Sequence, residues 1–278
     1  MHMKMGGIKT LSLSFDHWPN ASNTGPVPGT VLTPYSGPST ISTPGTAIDS
    51  KTINVSLTIT ADNVILTNCI ITSDNAPAPT ASGAIVDCQQ LPTTVIRNCK
   101  LIGNSSTGSG ILGSGTFISN DISLGIALGI QLTDGASTIS GNYIHDLGPS
   151  NTTQPEGPHY DGITCLGGQN GVMINNNTIA LPTGAGGTAV IFLDNDFASV
   201  NDVTIRHNLL KGLDGPAYTF QVVKKAANPG TLTNIVIDNN YMEPGEFGYI
   251  FVQNTPDPII INNFNWNNGN PIPLTWPF

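Results

Sequence analysis

The densest run of reactive side chains in this chain is HDLGPSNTTQPEGPHYDG, residues 145–162. His145 and Asp146 open it; His159, Tyr160 and Asp161 close it. A loop that leaves one strand and enters the next brings its ends together, so two imidazoles, two carboxylates and a phenol are expected to cluster there. Three chemistries suit such a cluster. Glycoside hydrolysis needs two carboxylates facing each other across the bond, about 5–9.5 Å apart. Asp161 with Asp194 or Asp196 is the pair the order of strands suggests. Elimination beside a uronate needs a base and a cation that neutralises the substrate carboxylate. His159 or Tyr160 would be that base, with Asp161 as orienter or acid, and Lys224 or Lys225 would be the cation. The run Asp194–Asn195–Asp196 offers oxygen ligands, and calcium is the metal such ligands hold. Each feature has a plainer reading: Asp161–Gly162 as an Asx turn, 194–196 as a solvated turn, and Lys224–Lys225 as a solvated loop pair.

The elements that must position these residues come from a repeat. An apolar residue, a spacer, an apolar residue, two polar residues, a column residue, a spacer and a closing apolar residue recur along the chain. Copies read VILTNCII (64–71), TVIRNCKL (94–101), TFISNDI (116–122), TISGNYI (138–144), VMINNNTI (172–179), VTIRHNLL (203–210), IVIDNNYM (235–242) and IIINNFN (259–265). The column residue is Cys69, Cys99, Asn120, Asn142, Asn177, Asn208, Asn240 and Asn263. A second apolar column lies between the copies, from GAIVD (83–87) to YIFV (249–252). The strands are short, alternate in polarity and are divided by Gly, Asn, Asp, Ser and Pro, with no helical pattern between them. Parallel connections of about 21–23 residues without a helix require a coil whose turns stack on one another. The expectation is an all-β, single-domain right-handed parallel β-helix of about nine rungs with capped ends.

In such a coil a buried Asn at a recurring bend stacks on its neighbours and hydrogen-bonds their backbone. Cys69 and Cys99 occupy the same column in the first rungs, either as a disulfide or as buried thiols. Residues 1–45 read as an N-terminal arm and cap, 46–265 as the β-helix, and 266–278 as a C-terminal cap or tail. Trp266, Trp276 and Phe278 would form that cap or a subunit contact. Extra length enters at 145–162, 194–202 and 223–233, flanking the second column. The outward residues of that column, Leu112, Gln131, Thr164, Phe192 and Gln221, are expected to line a groove. Gln131, Thr164, Phe192, Gln221, Lys224 and Lys225 are then the substrate-binding candidates. His145, His159, Tyr160, Asp161, Asp194 and Asp196 are the catalytic ones, with Asp194 and Asp196 doubling as metal ligands.

Composition narrows the partners. Charged residues are 10% of the 278, and the net charge is −9, against roughly 25% charged residues in an average soluble domain. Nine scattered cations do not build a nucleic-acid groove. No run of about 18 apolar residues is present, so no membrane-inserting helix is expected. The opening MHMKMGGIKTLSLSF lacks the apolar stretch of about 7–15 residues of a secretory signal. The expected location is extracellular or virion-associated.

The segment at 19–53, YIHDL (143–147), HYDGI (159–163) and GGQNGVMINNNTI (167–179) resemble right-handed β-helix proteins of actinobacteria, other bacteria and their phages. In that group a His-x-Asp-Gly-Ile pattern is usually followed by Gln; here Thr164 stands in its place. The resemblance implies the pectate-lyase-like superfamily fold. Relatives of that class include polysaccharide lyases, glycoside hydrolases, epimerases and phage tailspikes, many of them homotrimers acting on bacterial surface polysaccharide. The signature cations of pectate lyases are not recognisable here. The function expected is binding, with cleavage by lyase or hydrolase chemistry, of an extracellular or cell-surface polysaccharide. The alternative is a non-catalytic virion or surface attachment protein. No cofactor besides calcium is expected. His159→Ala and Asp161→Ala would abolish cleavage and spare the fold.

Overall fold

The computed structural model describes residues 18–73, 83–104, 107–148, 160–181, 187–212, 216–254 and 258–273. Its strands form three parallel sheets, of ten (sheet A), nine (sheet B) and nine (sheet C) strands. The chain visits them in rotation. One turn runs Lys100–Ile102 in sheet A, Thr107–Gly113 in sheet B and Thr116–Ile118 in sheet C, then returns to sheet A at Asp121–Ser123. Neighbouring turns pair in parallel. The molecule is thus a parallel β-helix, and ten strands stacked at about 4.8 Å make a rod about 43 Å long.

The alternation read from the repeat sets which side chains fill the rod. In several three-residue strands only the central residue is buried, as Leu66, Ile71, Ile96 and Leu101 are. These stack into one continuous apolar column. The corner from sheet C to sheet A carries the Asn ladder. Each backbone N–H of Asn120, Asn142, Asn177, Asn208 and Asn240 donates to the side-chain oxygen of the next ladder residue at 2.9–3.0 Å. Each Nδ2 reaches the same oxygen and a carbonyl of the preceding turn, and from Asn142 to Asn240 also a carbonyl of its own turn. The residue just before the ladder position is left-handed (Asn98, Ser119, Asn176, His207, Asn239). That conformation is why Asn and other small polar residues recur there. Cys69 and Cys99 are free, buried thiols that continue the column. Cys99 N–H donates to Asn120 Oδ1 at 3.0 Å, and Cys69 N–H to Cys99 Sγ at 3.5 Å. Of the two alternatives for this pair, the structure shows the thiol ladder.

Strand pairing begins at Thr33–Pro34, which adds to Lys51–Ile53 in sheet A. The segment before it lies across the outside of the rod. Trp18 stacks on His207 and meets Tyr241 and Trp266 edge-on. Gly25 N–H donates to Ser119 O, and Val27 N–H to Asn68 Oδ1. Residues 18–27 therefore tie late turns to early ones. At the other end the chain doubles back, and Phe264 pairs antiparallel with Pro271. Trp276 and Phe278 lie outside the described residues.

Sheet B is built differently, and that difference shapes the outer surface. Val190 and Ile191 are adjacent, yet both belong to the core. One turn earlier, a Cβ on Gly162 would strike the core side chain Ile179, and Ile163 is also core. Two successive inward positions bend the sheet. The residues on either side of the bend face outward: Asp161 on one flank, Thr164 on the other. The second flank forms the register Asp87–Leu112–Gln131–Thr164–Phe192–Gln221–Phe251.

Candidate functional site

The corner from sheet B to sheet C varies in length from turn to turn, and that variation makes a saddle. Strands Ala84–Cys88 and Val95–Arg97 are joined by residues 89–94. The next three corners are short, at 114–115, 133–134 and 166–168. Then come 195–199 and 224–231. The short corners form the floor, and the long ones rise at each end. The resulting cavity, about 610 Å³, is lined by Asp87, Gln89 and Gln90 at one end, and by Leu112, Gln131, Leu132, Thr133, Asp134, Leu166 and Gly167 along the floor. Phe197 lines it at the other end and is 74% exposed.

The floor is fixed by its own hydrogen bonds. Ser114 Oγ donates to the carbonyls of Thr133 and Asp134. Buried Gln169 donates from Nε2 to Leu132 O and Thr133 O, and its Oε1 accepts from Gly167 N–H at 2.9 Å. The far wall is pinned as firmly. Asn195 Oδ1 accepts from Lys225 N–H at 2.8 Å, and its Nδ2 faces four carbonyls of residues 225–230. Phe197 N–H donates to Leu166 O at 2.8 Å. Position 167 must be glycine, because a Cβ there would lie 2.2 Å from Ala198 N at a φ of +129°. An exposed aromatic ring on an immobilised backbone, above amides and carboxylates, is a preorganised stacking surface.

The expected groove along the second column is present in part. Gln131 and Leu112 line the saddle, while Thr164, next in the register, is buried. Phe192 and Gln221 are half-buried further along, and Gln221 Nε2 donates to Thr188 O at 2.7 Å. Beyond them Tyr218 stacks on Phe251, with Phe247 alongside. Extending the column by one turn at each end would have found Asp87 and Phe251 in the sequence. Phe197 and Gln89 had no such signal, since corner residues obey no period.

The catalytic cluster expected around 145–162 is not assembled among the described residues. His145 ends a strand of sheet A, whereas Asp161 begins one in sheet B. In the preceding turn the paired positions, Ser123 and Leu128, are separated by a single corner. The loop therefore does return beside its start, but its ends face outward from different sheets. His145 is engaged by Asp146 at 2.6 Å and by Asp121 at 3.0 Å, and Asp121 also binds Lys100 at 2.7 Å. Burial pulls the imidazole pKa down, but hydrogen bonds and charge from the two carboxylates outweigh it and raise the net value. Tyr143 stacks on the ring at 3.9 Å. Asp121 was absent from the sequence candidates because its pairing crosses one turn of the coil. His159 lies outside the described residues.

Asp161 is 4% exposed and accepts one hydrogen bond, from Ala189 N–H at 2.7 Å. Desolvation pushes its carboxyl up to about 7. Tyr160, next to it in the chain, and Thr164, on the other flank of the bend, carry buried hydroxyls that have no partner among the described residues. The expected pairing of Asp161 with Asp194 fails on geometry. Asp161 lies level with Ala189, and Asp194 is five residues further along that strand. That is about 16 Å, beyond the span of a glycosidase pair. Asp194 and Asp196 do not form a metal site either: they converge on Lys225 Nζ, at 2.8 and 2.6 Å. Loss of solvation works against that ammonium, but the two carboxylates outweigh it and raise its pKa. Lys225, though its side chain is 46% exposed, is thus neutralised by the wall's own carboxylates. Lys224 is half-buried in the same loop. Among the described residues, no three His, Cys, Asp or Glu side chains converge to hold a metal.

The Asp161 carboxyl carries a pH signature. Its pKa is raised on folding, so the native state binds the proton more tightly than the unfolded chain. Its contribution is most favourable below the unfolded value of about 3.9 and declines as pH rises toward 7. Asp161→Asn keeps the acceptor for Ala189 N–H without the charge. Thermal melts are expected to show Asn stabilising at pH 8 and nearly neutral at pH 4; equal shifts at both would refute the assignment.

A protein-family model described as "Right handed beta helix region" matches residues 82–263. No curated protein and no solved structure matches the chain.

Proposed function

From the premise that the chain belongs to the right-handed beta helix family, found in polysaccharide-active enzymes and other proteins, we propose that it binds an extracellular or cell-surface polysaccharide in the saddle between sheets B and C. The observation that carries this reading is Phe197, exposed on a pinned wall over a floor of Gln131, Thr133 and Asp134. Sugars present apolar ring faces and a rim of hydroxyls. An aromatic face with amide and carboxylate acceptors around it matches both. The pectate-lyase-like resemblance of residues 19–53 and 143–179 supports the same ligand class.

Hydrolysis is the cleavage for which this surface has the groups. Asp87 and Asp134 both line the saddle and would be its acid and base; the register sets them at least two turns, about 10 Å, apart, which fits only the wide, inverting arrangement. Elimination from a uronate would need a cation on the substrate carboxylate; neither Lys224 nor Lys225 lines the saddle, and Lys225 is already held by Asp194 and Asp196. A second reading, a non-catalytic attachment protein of a surface or virion, is favoured by a specific observation. His145, Asp161 and Asp194 sit in three separate settings, two of them closed by ion pairs.

The purified protein should be incubated with a polysaccharide panel and assayed for binding, new reducing ends and the ultraviolet absorbance of unsaturated uronates. Binding with reducing ends and no absorbance is the expected result. Binding alone would select the attachment reading. Absorbance would refute hydrolysis, and no binding across the panel would refute the polysaccharide reading.

A further inference from the structure

We propose that the saddle selects polysaccharides whose repeating units carry no acidic groups. This deepens the reading that the saddle is the glycan site and rests on it. The argument is one of charge placement. The polar lining consists of Gln89, Gln90, Gln131 and Thr133, which are uncharged, and Asp87 and Asp134, which are negative. Among the described residues, no lysine or arginine lines the cavity. The described cations are elsewhere. Lys51, Lys100 and Lys211 stand on sheet A, and Arg97 and Arg206 on sheet C. Lys224 and Lys225 follow sheet B in the wall loop, where Lys225 is bound between two carboxylates.

A glycan bearing a carboxylate, sulfate or phosphate on each unit would bring its charges against Asp87 and Asp134 with no cation to receive them. The whole-chain charge of −9 opposes it at longer range as well. Hydroxyls and acetamido groups meet no such barrier. They donate to exposed Asp134 and exchange hydrogen bonds with Gln90 and Gln131, while buried Asp87 is already engaged by the Gln89 N–H and Nε2. The same Asp134 carboxylate that repels an acidic chain therefore strengthens contact with a neutral one. Asp134 is the cleaner of the two to alter, because its side chain is exposed at the short corner.

The test is affinity electrophoresis against neutral glucans, mannans and N-acetylglucosamine polymers, and against polygalacturonate, alginate and a sulfated galactan. Each is run at low salt, with and without calcium. At least one neutral glycan is expected to bind, and every acidic one at least about tenfold more weakly, with the gap narrowing as salt rises. Asp134→Lys should narrow the gap about tenfold, and Asp134→Asn by less. Acidic glycans binding as well as neutral ones, with or without calcium, would overturn the inference and leave the saddle as the glycan site. A gap that Asp134→Lys leaves unmoved would also overturn it. Failure of every glycan to bind would overturn both.

Discussion

Replacing Asn177 by Ala is expected to lower the unfolding free energy by about 3 kcal/mol or more. The side chain is fully buried and sits in the middle of the ladder. Its Oδ1 accepts from the backbone N–H and the Nδ2 of Asn142, each at 2.9 Å. Its Nδ2 donates to Ile139 O, Asn175 O and Asn208 Oδ1. Truncation orphans groups on both neighbouring turns, and water cannot replace the partners without entering the core. Each orphaned buried group costs about 1–3 kcal/mol. In a solenoid, each turn is held chiefly by its neighbours, so the defect also weakens coupling between the two halves of the rod, which the 18–27 segment bridges as well. Urea unfolding should show a lower midpoint and a broadened or two-step transition. The control is Asn176→Gly, which keeps the left-handed bend and should change stability little. A loss below about 1 kcal/mol for Asn177→Ala would show that the ladder accompanies the fold without supporting it.

The second large effect concerns binding. Phe197→Ala is expected to weaken glycan affinity about tenfold to a hundredfold with little change in stability. Covering an exposed phenylalanine ring contributes up to about 1.5–3 kcal/mol, and each 1.4 kcal/mol is tenfold. The ring is 74% exposed, so its removal leaves no cavity in the core. The backbone at 197 is held by Leu166 O and does not depend on the ring. Phe247→Ala is the matched control. It removes a 65% exposed ring beside Tyr218, outside the saddle. Titration calorimetry on both variants separates the two surfaces. Equal affinity for Phe197→Ala and wild type would remove the wall from the site.

What the sequence made legible followed the period of the coil. The ladder Asn120 to Asn263, the thiols that continue it, and the shared outward register of Leu112, Gln131, Thr164, Phe192 and Gln221 all repeat once per turn, and the three sheets place them accordingly. The failures came where function would break the period. Asp161 and Asp194 lie on neighbouring turns, which suggested a pair, but five residues along one strand hold them apart. Proximity in a solenoid needs the same turn position as well as adjacent turns. Asp194 and Asp196 resembled cation ligands because their partner, Lys225, is far off in sequence and one turn away in space. The saddle was hidden for the converse reason. It is made by three corners shorter than their neighbours, and Phe197 stands on a non-repeating loop.

The most direct test of the saddle as the glycan site is amide hydrogen exchange with and without the neutral oligosaccharide that binds best. The floor and walls are expected to slow on binding, at 133–134, 166–168 and 195–199, together with 89–91 at the near end. The strands around Asp121 and His145, on the outer face of sheet A, should exchange unchanged. Protection at Asp121–His145 with no effect on the corner at 133–134 and 166–168 would contradict the account, and would move the site to the histidine cluster.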